Sequence, residues 1–492
     1  MAHLKSMKME IDYPLVKKQV SMVLLFQLLW LVILFLSYLS LSNGVDKIVI
    51  YFVLIHGYAT IIRHLIAQSL RCGLSSRFVS LDMLFLFGCY LVYLLPYQLY
   101  LANIIQLDYS RFLLFNTYSA YSNAALVLSS ACITSFSIGW EISAQKSARI
   151  PKNQDLESGF LLDRKNDLIT VRRLIRFNLI CLVFLLPVYQ FSGFRSTAET
   201  RYGTSGNASV LGEALYFGLL LLSLLSFAVW IYLMSHSVKL DSFGHLAIVL
   251  SLLWQFRVLF VGDRNSFFLI AMVQLAGYSF FVKKPNTFFL SLFVFFSIYL
   301  YVVIENFRTA TQKNVTSFFE FDSFEKFSIF EESSLNITTI SIRAMLQMYD
   351  ESGELYFGLF KLIGILGIVP FSRGVFLPDS ITITDTSQLV TSYIFGNQPH
   401  WQVGTSLVAD SFIDFGFLGV VLIPLIYGYI GARSQLKSSE TRNVKVMILF
   451  LFLLATYLQL PRYSADFPIR MLIWTWLLLT LIEKSKKTRI LE

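Results

Sequence analysis

The chain is 492 residues long, 55% hydrophobic, 16% aromatic and 14% charged, with a mean hydropathy of +0.63. Soluble domains carry about 25% charged residues, so this composition excludes a soluble globular protein and describes an integral membrane one. The net charge of +9 does not point to nucleic acid, because the basic residues lie in short loops between apolar runs, where the positive-inside rule places them.

In chain order, apolar runs of spanning length fall at 21–42, 46–62, 81–105, 121–142, 174–194, 210–234, 245–262, 265–282, 287–305, 406–432, 446–461 and 469–483. A helix needs ~20 residues to cross, and only the second, eleventh and twelfth runs are short of that. The expected fold is therefore an all-α polytopic membrane protein of about twelve transmembrane helices. Residues 1–305 form an N-terminal bundle of nine helices, 306–405 one large external (periplasmic) loop, and 406–492 three helices and a basic tail. A basic head (Lys5, Lys8, Lys17, Lys18) precedes the first run, which is long enough to span, so no cleaved signal peptide is expected. Cys89, Cys132 and Cys181 sit in apolar runs and Cys72 in a basic loop, so neither a disulfide framework nor a structural zinc site is expected. Pro96, Pro187 and Pro424 interrupt three spans, which neighbouring groups can accommodate. There is no internal repeat and no sign of an appended soluble domain.

Lysines and arginines crowd the head, Arg63/Arg71/Arg77, Lys146–Arg173, Lys239, Lys283/Lys284, Arg433–Lys445 and Lys484–Arg489. These segments alternate correctly if both termini are cytoplasmic. Leu355–Val369 breaks the alternation if it spans, so it is expected outside, as a re-entrant or surface-lying amphipathic helix. A loop as long as 306–405 is uncommon unless it functions.

Positive charge on the inferred outer face is informative because the rule sorts it inward. That face carries Arg111, Arg195, Arg201, Arg264, Arg308, Arg343, Arg373, Arg462 and Arg470, against only Lys47, Lys313, Lys326 and Lys361. Arginine binds phosphate bidentately where lysine acts as a point charge, so the bias suggests a ligand bearing pyrophosphate or carboxylate. Arg111, Arg462 and Arg470 are read as headgroup anchors. Arg257 and Arg264, seven apart in RVLFVGDRN, are expected on one helix face, the alternatives being snorkelling or an Arg264–Asp263 ion pair. Arg201 opens a small Gly/Ser-rich loop, and Arg343 and Arg373 flank Leu355–Val369.

Acid–base candidates are His400, the one histidine of the large loop, and Asp410 and Asp414, one turn apart at the outer start of a span. A surface histidine, and two acids favoured by the helix dipole, are the competing readings. The other spans are nearly free of charge apart from Arg257, which argues against a transporter, whose pathway holds charges mid-membrane. No outer carboxylate cluster has metal-ligand spacing, so metal independence and no cofactor are expected.

The series SLVADSFIDFGFLG…LIPLIYGYIGA resembles the re-entry segment of bacterial O-antigen and capsule repeat-unit polymerases, the Wzy family. GIVPFSRGVFLPD is similar to that family's external proline/arginine segment, VGDRNSFFLI to its mid-chain arginine helix start, and Arg201–Gly212 to its R-x10-G pattern. The related O-antigen ligases carry His-Asn shortly before the Gly-x-x-Gly helix, whereas His400 is followed by Trp401 and lies farther upstream. The resemblance implies a GT-C-like glycosyltransferase of the inner membrane, acting on undecaprenyl-pyrophosphate-linked oligosaccharide among membrane lipids. It leaves room for a chain-length regulator as a partner. It further implies Arg264, Arg201, Arg257, Arg343 and Arg373 as pyrophosphate ligands and Asp410 or His400 as the base. Trp401, Tyr393 and Asp414 would contact glycan. Ligase and lipid-linked oligosaccharide flippase are the rival readings, in that order.

Overall fold

The computed structural model describes residues 13–41, 43–72, 79–108, 116–147, 157–196, 209–261, 263–283, 286, 292, 334–369, 372, 376–377, 383–396, 403–441 and 443–488. The described residues are helical, with no strand. The helices are α1 (Tyr13–Ser40), α2 (Lys47–Cys72), α3 (Leu81–Cys89), α4 (Leu95–Leu101), α5 (Ser122–Ser147), α6 (Glu157–Phe191), α7 (Val210–Ser235), α8 (Ser242–Val261) and α9 (Arg264–Phe281). They continue as α10 (Ser334–Ser352), α11 (Leu359–Leu366), α12 (Thr386–Phe395), α13 (Leu407–Thr441), α14 (Val444–Tyr457) and α15 (Phe467–Thr488).

Among the described residues, eight segments are long and apolar enough to cross a membrane. They coincide with the first seven expected spans and with 406–432. The expected spans at 265–282, 446–461 and 469–483 are α9, α14 and α15, and 287–305 lies outside the described residues apart from Leu292. Apolar side chains face outward along these helices, among them Phe26 and Leu36 of α1 and Leu418 and Ile426 of α13. Such surface is stable against lipid and not against water.

α5 is the axis of the bundle. Its SSACITSFSIG run is small enough for α13 to lie directly against it, and α1, α2 and α10 pack around the pair. Gly139 and Gly428 make the closest contact. A methyl group on either would overlap the Leu425 or Phe136 carbonyl of the facing helix. Small residues at crossings are how membrane helices gain packing without a hydrophobic drive between them. Hydroxyls of α5 bond within their own helix, Ser129 to the Ala125 carbonyl and Thr134 to that of Ser130. α6–α9 form a second group, joined to the first through α14.

A π turn at Tyr90–Leu94 interrupts the third span. π turns release backbone carbonyls, and here Thr339 of α10 donates to Val92 O at 3.0 Å. α10 thus wedges between α5, the π turn and α13, and residues 338–346 are buried throughout.

At the other end of the bundle, four helices meet in a charged network. His64 Nδ1 lies 2.8 Å from Asp82 Oδ2, His64 Nε2 lies 3.1 Å from Ser137 Oγ, and Arg63 pairs with Glu141 at 2.9 Å. Gln435 of α13 accepts the Leu81 N–H. The expectation of nearly charge-free spans is corrected here. The charges sit near the ends of the apolar spans and face one another, and hydropathy averaged over a span does not register them.

Candidate active site

α13 opens where Ser406 Oγ accepts the Ala409 N–H, one of the first-turn donors that helices leave unpaired. Spacing of four places Asp410 and Asp414 on one face. Both are buried, at 2% and 0% side-chain exposure. The face they present is covered by α11, whose Lys361 Nζ lies 2.6 Å from Asp410 Oδ2, 3.0 Å from Asp414 Oδ2 and 2.9 Å from the Asp410 carbonyl. Asp410 also accepts from Thr386 Oγ1 (2.8 Å) and from the Ala465 N–H (2.7 Å). Asp414 Oδ1 takes a long bond, 3.4 Å, from the Phe360 N–H. Asp414 Oδ2 has the ion contact with Lys361 but no aligned hydrogen bond.

One ammonium therefore serves two buried carboxylates, at a formal charge of −1. Burial disfavours the charged lysine, but Asp410 and then Asp414 outweigh it, so Lys361 titrates above the usual lysine value. Lys361 joins the candidate site, and sequence reasoning placed it only among the few outer-face lysines. Two signals could have found it: a single cation in the apolar run LFKLIGIL, and two nearby acids in need of one.

α13 departs from helical geometry at Gly416, with φ 61° and ψ −149°. That region is essentially open to glycine alone. Just before the break, Ile413 O accepts the Tyr356 N–H at 3.0 Å and ties down the segment leading into α11.

Arg343 lies on α10, whose Tyr349 packs edge-on against Phe412 of α13 at 5.3 Å. Arg343 is 0% exposed. Its Nη1 reaches Leu107 O at 3.4 Å, while Nε and Nη2 have no hydrogen-bond partner among the described residues. Tyr97 and Ser122, both buried, lie within reach of each other beside it. Burial pulls the Arg343 guanidinium down from its ordinary value, against the opposing influence of Tyr97 and Asp108, and arginine stays charged all the same. A buried cation with idle donors is costly unless something accepts from it.

Tyr393 of α12 donates to Glu351 Oε2 at 2.8 Å and lies 5.9 Å from the Tyr118 ring. Hydrogen bonds from Gln347 and Tyr393 hold the Glu351 carboxyl below its ordinary value. Glu351 is exposed, Tyr393 half-buried and Tyr118 buried.

Arg257 and Arg264 do not share one helix face. Arg257 is on α8, over the Tyr189 and Trp254 rings (5.3 and 5.9 Å) and bonded to Gln190. Arg264, buried, is the first residue of α9. Between them Asp263 caps α9, accepting from Asn265 N and Ser266 N, and takes the Tyr216 hydroxyl at 2.6 Å. A capping aspartate ends the helix that seven-residue spacing assumed to be continuous. The Arg264 region connects to the acid–lysine cluster through the turn before α15. Gln459 donates to Asn265 O at 3.2 Å, and six residues later Ala465 donates to Asp410 and accepts from Tyr427.

The structure thus brings together Asp410, Asp414 and Lys361, with Arg343 and Tyr393 on the neighbouring α10 and α12. Arg201, Arg373, His400 and Trp401 lie outside the described residues.

Nothing among the curated proteins or the solved structures matches the chain. The family model for O-antigen polysaccharide polymerase Wzy matches residues 21–487. That match runs through the whole helical bundle and the buried acid–lysine cluster, and the chain belongs to the O-antigen polysaccharide polymerase Wzy family.

Proposed function

We propose that the chain polymerises O-antigen repeat units by moving the growing glycan from undecaprenyl pyrophosphate onto a lipid-linked acceptor unit, at the outer face of the inner membrane. Both termini are then cytoplasmic, as the charge distribution requires. An acceptor hydroxyl attacks the anomeric carbon of the donor. The bond from that carbon to the pyrophosphate oxygen breaks, lipid pyrophosphate leaves, and the hydroxyl proton passes to a base. No metal takes part.

The observation that carries this reading is Arg343. A wholly buried guanidinium with two idle nitrogens, on a helix packed against the one that holds Asp410, is preorganised for an anion. Its role is to receive the charge that develops on the leaving pyrophosphate, with Arg264, Arg257, Arg201 and Arg373 as further ligands. One such donor is typically worth ~10²–10³ in rate. Asp410 or His400 takes the proton, typically worth ~10²–10⁴. For Asp410 this means exchanging one of its present donors, Thr386, Ala465 or Lys361, for the acceptor hydroxyl. Asp414, Tyr393 and Trp401 hold glycan.

The test is complementation of a polymerase-null strain with Arg343→Met and Asp410→Asn at matched expression. Glycan on lipid A core is expected to stop at a single repeat unit in both. Ladders of normal length from both variants would contradict the site. A wild-type chain that yields no ladder, yet transfers finished glycan to lipid A core when purified, would make it a ligase.

A further inference from the structure

α11 is inside out for a helix in water. It turns its one charged residue, Lys361, inward to Asp410 and Asp414, together with Phe360 and Ile363. It turns Leu362 and Ile365 outward at 57% and 54% exposure, with Phe357 before it at 82% and Val369 after it at 59%. Residues 362 and 365 share one face by helical spacing, and Val369 adds an exposed apolar side chain just past the end of the helix. Isolated exposed apolar residues are ordinary, but a stripe of this kind marks a surface that something apolar covers.

Two observations identify the cover. The first is continuity. Gly358 lies over the Phe415 ring of α13, where an added Cβ would come within 2.7 Å of it. From Phe415 the exposed face of α13 runs on through Leu418, Leu422 and Ile426 along a membrane-crossing segment. The stripe on α11 extends this lipid-facing surface beyond the break at Gly416. The second is the backbone. Within hydrocarbon every peptide group needs a partner from protein, whereas in water helix ends can be left to solvent. At the start of α11, Leu359 N bonds Tyr356 O at 3.0 Å and Phe360 N bonds the Asp414 carboxylate. At its end, Ser372 Oγ donates to Leu366 O and Val369 O, and the Trp474 indole donates to Ile368 O at 2.8 Å. Both ends of an eight-residue helix are closed by protein groups.

We infer that α11 lies in the hydrocarbon of the bilayer, on the side where α13 begins, with lipid acyl chains covering Leu362, Ile365 and Val369. Lys361 then carries its charge at membrane depth, and the two buried aspartates are what permit it to be there.

Spin labels at Leu362→Cys, Ile365→Cys and, as a solvent control, Glu354→Cys test this. The full-length protein is reconstituted in phospholipid vesicles, in a background without Cys72 and Cys181. Labels at 362 and 365 are expected to collide several-fold more with oxygen than with an aqueous nickel chelate, and the label at 354 to show the opposite. Nickel access at 362 and 365 equal to that at 354 would place α11 in water and overturn the inference. Protection from both reagents would mean that protein covers the stripe, and would overturn it equally. Leu362→Trp gives an independent reading that does not need a label. Over the background set by the seven native tryptophans of the unsubstituted protein, the added emission is expected to be quenched by acyl-brominated lipid but not by aqueous iodide, and the reverse would contradict.

Discussion

At the scale of single residues, the account rests on two buried cations that behave oppositely. Lys361 is fully engaged, so Lys361→Met leaves Asp410 and Asp414 without their counter-ion. Removing one partner of a buried pair costs about 3–5 kcal/mol, and the variant's thermal midpoint in detergent is expected to fall accordingly, with Lys361→Arg recovering part of it. An unchanged midpoint would contradict the cluster. Arg343 has idle donors, and replacing a poorly compensated buried charge by an apolar residue of similar size is often neutral or stabilising. Arg343→Met is expected to keep or raise the thermal midpoint while abolishing the glycan ladder. A fall in stability together with lost activity would make Arg343 a structural residue. The aspartate pair was legible in the sequence because i and i+4 share a face. Lys361 was not, because its partners lie about fifty positions away and only the tertiary fold joins them.

At the scale of elements, the helix break at Gly416 shapes the site. It turns the outer end of α13 away from its membrane-spanning part and lets Ile413 O accept from Tyr356. Gly416→Ala forces a Cβ onto a backbone that only glycine adopts readily. It should cost about 1–3 kcal/mol and shorten or abolish the ladder, and normal stability and ladder would contradict this role. Sequence periodicity located the long spans well, since twenty apolar residues have few other uses. It missed the insertion of α10. The run NITTISIRAMLQMY is too polar to read as core, yet Thr339 and Ser341 are buried because the Val92 and Thr338 carbonyls accept from their hydroxyls and offset the desolvation. The single-face reading of Arg257 and Arg264 failed for a comparable reason. Asp263 acts as a cap, and a cap is a local hydrogen-bond event that spacing alone does not reveal.

At the scale of the molecule, polar chemistry sits at the two ends of one apolar bundle. At the end opposite the candidate site, the His64–Asp82 pair and the Arg63–Glu141 bridge hold α2, α3 and α5 together. Asp82→Ala leaves His64 Nδ1 buried without its acceptor. It is expected to cost about 1–3 kcal/mol while the protein that folds still makes ladders of normal length. A lost ladder at normal stability would instead tie this end to the chemistry. The membrane class and the family could be read from composition and from the α13 segment, whereas the internal charge networks needed the fold. The central claim, transfer of glycan with lipid pyrophosphate as leaving group, is tested most directly by reconstitution. Purified protein in vesicles is supplied with a defined undecaprenyl-pyrophosphate repeat unit after dialysis against EDTA. The account predicts a ladder of products, with one undecaprenyl pyrophosphate released for each glycosidic bond formed. A ladder that appears only when a divalent cation is restored, or bonds formed without release of lipid pyrophosphate, would contradict it.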